Sequence, residues 1–239
     1  MNNDEPILSV IVPVFNGEKC LSRALQHIAD ETPPQTEIIV VDDGSTDDSL
    51  EIARAFGKSY PLLQVISQEN RGPAAARNVG IRAARADVLA FLDVDDLWPR
   101  ESLALRLRHL QENPYLDLVL GQVQVNRVLE GELTEPFVAF LIGAALYRKE
   151  VFDKVGFFDE SLRFSEDTDW FLQTREKGIE LLRLSETTLI YHLHGENMTN
   201  GKTFKELDVL YALKRSLDRR RAGNGISSMP DLPPLNDLK

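Results

Sequence analysis

Two groups of acidic residues stand out because each directly follows a run of apolar residues. Asp42 and Asp43 follow one such run, and Asp93, Asp95 and Asp96 follow another. Carboxylates this close repel one another, and the simplest compensation is a divalent cation with oxygen ligands. One or two carboxylates together with substrate phosphates usually hold such a metal. The alternative is that both groups are solvated turns that cap the helices after them.

The elements that must position these groups alternate between strand and helix. Apolar runs rich in β-branched residues occupy 7–14, 37–41, 62–66 and 87–92, and helical spacing separates them. Continuous apolar runs are typical of strands buried on both faces of a parallel sheet, so this order predicts an α/β fold. Ligands bind such sheets at the carboxyl ends of the strands. Both acidic groups are therefore expected at that edge.

The second half of the chain is less regular. The pattern predicts a helix over 99–110, a strand over 116–125, a helix over 166–177, one or two short strands over 181–191 and a last helix over 204–221. From residue 222 onward Gly, Ser, Pro and Asn dominate, which indicates a flexible tail.

Composition excludes several classes of protein. The 239 residues include 27 Lys and Arg against 38 Asp and Glu, a net charge of −11, which argues against a general nucleic-acid binder. A single cysteine, Cys20, rules out an internal disulfide and a cysteine-rich zinc site. The acidic start is unlike a signal peptide, and no apolar run approaches the ~20 residues that span a bilayer, so we expect a cytoplasmic protein.

The last predicted helix ends in a basic segment, residues 214–221. Such a segment allows peripheral contact with an anionic membrane from its inner face. The alternative is a solvated helix C-terminus whose cations the helix dipole favours.

The segments 9–16, 41–47, 76–78, 91–96, 147–160 and 165–170, taken in order, resemble the family 2 inverting glycosyltransferases. The likeness covers roughly residues 6–200. It implies the GT-A-type nucleotide-diphospho-sugar transferase fold, a mostly parallel central sheet flanked by helices, with a C-terminal helical extension. The expected division is a transferase domain over 1–200 (nucleotide-binding half 1–98, acceptor half 99–200), a helix over 201–221 and a flexible tail over 222–239.

The resemblance also implies an activity and its partners. It implies transfer of a sugar, with inversion and with Mn²⁺ or Mg²⁺, from a nucleotide-diphosphate sugar to an acceptor hydroxyl. A UDP-sugar is the default donor, and the acceptor is a saccharide, a lipid-linked sugar or a protein.

The same resemblance carries roles to individual residues. The nucleotide-binding residues that it implies are Pro13, Phe15, Asn16, Asp43, Arg77 and Asp93. Within this set Phe15 stacks on the base, Asp43 accepts a hydrogen bond from the base, and Asp93 contacts the ribose. Arg77 lies near the diphosphate.

The implied metal ligands are Asp95 and His194, and Asp167 matches the general base of the family. An attacking hydroxyl must lose a proton, which a carboxylate across the sugar can accept. Asp169, two residues further on, is the second candidate. Both acids could instead be first-turn residues favoured by the helix dipole.

Two other functions fit parts of the pattern. A catalytically inactive homologue that still binds a nucleotide sugar would keep the same fold. A haloacid-dehalogenase-like phosphatase would use Asp93 as its nucleophile. In such phosphatases the motif usually opens the chain and continues with Gly-Thr, whereas here it follows the fourth predicted strand and continues with Asp96 and Leu97.

Overall fold

The computed structural model describes residues 5–127, 132–195, 197 and 208–222. Its strands are β1 (Leu8–Val14), β2 (Thr36–Asp42), β3 (Leu63–Ser67), β4 (Val88–Phe91), β5 (Leu118–Arg127), β6 (Glu132–Leu133), β7 (Ala145–Arg148) and β8 (Leu181–Leu193). Its helices are α1 (Glu18–Glu31), α2 (Ser49–Gly57), α3 (Pro73–Ala83), α4 (Ser102–Glu112), α5 (Val151–Val155), α6 (Glu166–Glu176) and α7 (Val209–Ala222). A 3₁₀ turn at Ile142–Ala144 precedes β7.

The strands form one mixed, mostly parallel sheet in the order β3-β2-β1-β4-β7-β5-β6, with β8 paired to β5. The strands β3, β2, β1 and β4 are parallel to one another, and β8 is parallel to β5. β7 is antiparallel to both β4 and β5. The predicted fold class is therefore confirmed, with β7 as the element that reverses direction in the middle of the sheet.

Close helix packing places α3 directly on the sheet. Gly80 lies against Ile11 of β1, and a Cβ atom at position 80 would overlap the Ile11 side chain. Since α3 runs antiparallel to the parallel strands, its first turns lie at their carboxyl edge. This arrangement brings Arg77 to the edge of the sheet where both acidic groups lie.

An aromatic cluster joins the two halves of the chain below that edge. The Phe91 ring of β4 lies 5.5 Å from Tyr147 of β7, and the Phe152 ring of α5 lies 4.9 Å from Trp170 of α6. Tyr147 and Trp170 also meet, with centroids 5.6 Å apart. The start of α6 is thereby held on the same core as the end of β4.

The structure differs from the sequence predictions in its last third. β8 is one continuous strand of 13 residues that follows β5 through two register shifts, whereas one or two short strands were expected over 181–191. The last helix is described from Val209 to Ala222, and residues 201–207 and 223–239 lie outside the described residues. The predicted domain boundaries and tail stay predictions. Across the described part of the chain, every helix is too short or too polar to cross a bilayer.

Candidate active site

The loops after β1 and β2 hold each other at the carboxyl edge. Asn16 adopts a left-handed backbone conformation (φ +52°), its N–H donates to Ser45 Oγ at 2.9 Å, and its Oδ1 accepts from the Thr46 N–H at 2.8 Å. Pro13, half-buried, pairs with Val41 one residue before β1 ends. The resulting turn leaves the Phe15 ring 52% exposed instead of packed in the core. An exposed ring here is available to stack on a base.

Asp43 is buried beside the loop that leads into α3. Its Oδ1 accepts from Gln68 Nε2 (2.7 Å) and the Arg71 N–H (2.9 Å), and its Oδ2 accepts from the Gly72 N–H (2.8 Å). A carboxylate offers about four acceptor positions. Roughly one therefore remains for the hydrogen bond from a nucleobase that the family resemblance implies. These hydrogen bonds from the loop between β3 and α3 are the main contacts of Asp43, and they were not expected from sequence.

Arg77 is the buried centre of the site. Its Nη2 donates to both Asp93 oxygens (2.9 and 3.0 Å), and its Nη1 donates to Glu166 Oε1 (2.5 Å). Burial disfavours the cation, but the charges of Asp93 and Glu166 outweigh burial and raise the pKa of Arg77 above its ordinary value. Arg77 thus stays charged and connects the end of β4 to the start of α6.

Asp167 follows Glu166 in the first turn of α6. Its Oδ1 accepts from the Thr168 N–H at 2.6 Å. Burial first, and then the charge of Glu166, raise the pKa of Asp167 to about 7, against the lowering influence of Arg77. A carboxylate that exchanges its proton near neutral pH has the property that a general base needs.

Asp169 is engaged in a different contact. Its side chain is 1% exposed, Arg219 Nη1 of α7 donates to its Oδ1 at 2.9 Å, and Gln173 Nε2 donates to its Oδ2 at 2.9 Å. The carboxylate of this second candidate base therefore belongs to the interface between α6 and α7.

The loop after β4 docks on the end of β8. Leu97 and Ile190 exchange two backbone hydrogen bonds (3.2 and 2.8 Å), and buried Asp96 accepts from the His192 N–H at 3.0 Å. Burial, together with the charges of Asp93 and Asp95, raises the pKa of Asp96 well above its ordinary value. This docking brings residues 192–195 and Asn197 over the acidic motif.

Asp95 and His194 meet in the corner formed in this way. Asp95 Oδ2 lies 3.1 Å from His194 Nε2 and 3.2 Å from Asn197 Nδ2. Burial and the neighbouring charge of Asp93 raise the pKa of Asp95, so a cation here would relieve an unfavourable negative charge. A carboxylate oxygen and an imidazole nitrogen are donors that suit Mn²⁺. Mg²⁺ would rely mainly on the carboxylate and on phosphate oxygens.

This corner supplies only part of a coordination shell. Residues 5–127, 132–195, 197 and 208–222 contain no group of three or more His, Cys, Asp or Glu side chains that could hold a metal ion by itself. Further ligands, such as phosphate oxygens, would therefore complete the shell.

Two residues of the site were not predicted from sequence. One is Glu166, which pairs with Arg77 and whose signal was its place beside Asp167. The other is Asn197, which contacts Asp95 and lies three residues after His194.

Comparison with known proteins identifies the family of the chain. The chain matches the model of a family described as "Glycosyl transferase family 2" over residues 9–158. The uncharacterized glycosyltransferase EpsJ of Bacillus subtilis is 32% identical over 218 residues, a match that covers 81% of this chain and 63% of EpsJ. This chain thus spans less than two thirds of the length of that relative.

Solved structures share the fold. S. aureus TarS 1-349 in complex with UDP-GlcNAc has a TM-score of 0.75 at 24% identity, covering 93% of this chain and 68% of that chain. The mannosyltransferase PcManGT from Pyrobaculum calidifontis, in complex with GDP-Man and Mn²⁺, has a TM-score of 0.65 at 19% identity, covering 94% and 77%. The family match contains β1 to β7 with both acidic groups and Arg77, and on that evidence the chain belongs to glycosyl transferase family 2.

Proposed function

We propose that this chain transfers a sugar from a nucleotide-diphosphate sugar to an acceptor hydroxyl, with inversion at the anomeric carbon and with Mn²⁺ or Mg²⁺ as cofactor. One observation carries the proposal. Arg77 joins Asp93 to Glu166, which places Asp167, with its pKa raised to about 7, beside the end of β4. A candidate proton acceptor and the predicted donor-binding carboxylate thereby share one site.

The donor would bind along the carboxyl edge of the sheet. The exposed Phe15 ring can stack on the base, and one acceptor position of Asp43 is left for it. Arg77 Nε is buried without a hydrogen-bond partner among the described residues, which leaves one N–H donor for the diphosphate that we propose beside it. Structures of this fold hold UDP-GlcNAc or GDP-Man. We propose a UDP-sugar as the first donor to test.

Asp95 and His194 would hold the divalent cation, and Asn197 would orient Asp95. When bound, the cation supplies stabilisation of the negative charge that develops on the leaving diphosphate. The charge repulsion between Asp93 and Asp95 supports a cation in this corner.

Asp167 would accept the proton of the attacking hydroxyl. As that proton moves to the carboxylate, the acceptor oxygen forms a bond to the anomeric carbon and the bond to the diphosphate breaks. Attack on the face opposite the leaving group inverts the configuration. Since the pKa of Asp167 is about 7, its carboxylate is ionised and able to accept a proton above that pH.

The experiment measures diphosphate release and product formation from a panel of nucleotide sugars, with Mn²⁺ or Mg²⁺, and with soluble saccharides, lipid-linked sugars and peptides as acceptors. Asp167→Asn is expected to lower transfer at least about 100-fold and to keep thermal stabilisation by UDP with Mn²⁺. Asp153→Asn, an exposed acid of α5, is the matched control and should retain full transfer. Undiminished transfer by Asp167→Asn would show that another group is the base.

The same experiment separates the alternatives. A wild-type protein that UDP stabilises but that forms no product with any acceptor class would be an inactive homologue. Release of phosphate from simple monoesters, without preference for a nucleotide, would indicate a phosphatase.

A further inference from the structure

The outer face of α7 is unusually apolar for a surface helix. Leu210, Leu213 and Leu217 are 63%, 44% and 44% exposed, and Tyr211 is 52% exposed. These four are among only ten large apolar side chains exposed within the described residues. The spacing of three and four residues places the leucines in one stripe along the helix. An exposed apolar stripe of this kind commonly marks an interaction surface.

The inner face of α7 fixes the direction in which this stripe points. Ala212 and Ser216 are buried. Arg219 donates to Asp169 of α6 at 2.9 Å, and Arg215 donates to Asp159 at 2.5 Å. Turning the leucines inward would break both ion pairs and leave the nearly inaccessible Asp169 carboxylate without its main partner. The stripe is therefore held outward by the packing of α7 on the rest of the chain.

Charge on α7 opposes the charge of the whole chain. The helix contains five basic residues and one acid, Asp218, in a protein of net charge −11. Lys214 and Arg221 are exposed on the same side as the leucines. Long basic side chains can lie along an apolar surface and extend their charged ends outward. An apolar stripe edged by such cations is typical of helices that lie in the plane of a membrane surface.

We propose that the outer face of α7, formed by Leu210, Leu213, Lys214, Leu217 and Arg221, docks on an anionic phospholipid surface. The leucines would enter the headgroup region, and the two cations would meet lipid phosphates. A second copy of this chain fits the same face less well. A two-fold contact through this face would bury the exposed cations Lys214 and Arg221 of both copies without an acidic residue on the face to pair with them. Nothing in this proposal depends on the chemistry proposed for the active site.

The experiment is sedimentation of the full chain with vesicles. Vesicles of phosphatidylcholine with about 30% phosphatidylglycerol are compared with pure phosphatidylcholine vesicles, since each cation near an anionic surface strengthens binding by about fivefold. We expect binding to the anionic vesicles, much weaker binding to the neutral ones, and loss of most binding at about 0.5 M NaCl.

Two variants make the test specific. The triple variant Leu210→Ser, Leu213→Ser, Leu217→Ser should bind anionic vesicles at least about tenfold more weakly. A matched control removes three exposed apolar side chains elsewhere, Ile7→Ser, Tyr115→Ser and Leu133→Ser, and should bind like the wild type. Thermal stabilisation by UDP with Mn²⁺, or an unchanged urea midpoint, verifies that each variant is folded.

Three results would overturn the proposal: no binding of the wild type to anionic vesicles, equal binding by wild type and triple variant, or equal loss in the control. Sedimentation velocity adds a fourth. A wild-type dimer that the triple variant converts to a monomer, without lipid binding by either, would assign this face to a contact between copies.

Discussion

Replacing Glu166 by Gln should extend activity to lower pH. Three influences raise the pKa of Asp167 from its ordinary 3.8 to about 7: burial is the largest, the negative charge of Glu166 is the second, and the charge of Asp93 is the third. The substitution removes the charge of Glu166 and leaves burial unchanged. It also keeps an oxygen that can accept from Arg77 Nη1, so the geometry of the site should persist.

The size of the effect follows from that order of causes. Because burial remains, the pKa of Asp167 should fall by about one unit and not return to its ordinary value. Asp167 accepts a proton only when ionised, so kcat/KM of the wild type should decline as pH falls through about 7. In Glu166→Gln the same decline should occur about one pH unit lower. Loss of the buried ion pair with Arg77 should also lower the free energy of unfolding by about 1–2 kcal/mol.

The assay is kcat/KM for sugar transfer measured between about pH 5.5 and 9, at one saturating Mn²⁺ concentration for all proteins. Glu160→Gln is the matched control, since Glu160 pairs with the exposed Arg71 and is not among the main influences on the pKa of Asp167. An acid limb of Glu166→Gln that coincides with that of the wild type, or lies at higher pH, would refute the reasoning.

Three further predictions concern other parts of the molecule. Phe15→Ala should weaken UDP binding in calorimetry by about 10-fold without changing the urea midpoint, and Tyr115→Ala, at a comparably exposed ring, should leave binding intact. Asp95→Asn should abolish the increase in Tm that Mn²⁺ gives to the UDP complex, yet the metal-free protein should be more stable at pH 7, because the ionised Asp95 is disfavoured there. Arg219→Gln should lower the free energy of unfolding in urea by about 1–3 kcal/mol, because the buried Asp169 carboxylate loses its main hydrogen-bond partner. An unchanged midpoint would show that the ion pair contributes little.

The first half of the fold could be predicted from sequence because β1, β2 and β4 are largely buried on both faces. The β2 prediction over 37–41 differs by one residue at each end from Thr36–Asp42. β8 was harder, since the polar residues 185–188 interrupt its apolar pattern while pairing to β5 continues past them. The insertion of β7 between β4 and β5 has no local signal, because a strand does not encode its partner in its own pattern.

The site was predicted in part. The acidic motif was recognised from its residues, whereas the roles of His194 and Asp167 came from the resemblance to a family. The structure places them around two centres, Arg77 and Asp95. Glu166 and Asn197 were missed because their partners are distant in sequence. Glu166 lies 89 residues from Arg77, and Asn197 lies 102 residues from Asp95. No spacing rule along the chain reaches that far.

The position of β7 decides where the protein can be shortened. A fragment ending before residue 145 would lack β7, which pairs with one edge of β4. That edge of β4 would then be exposed, and an exposed hydrophobic strand edge promotes aggregation. A fragment ending at 158, the limit of the family match, would keep β7 but discard α6 and β8. Truncation studies and expression designs should therefore retain the chain through at least the end of α7 at Ala222, which keeps His194 and Asn197 beside Asp95 and Arg219 beside Asp169.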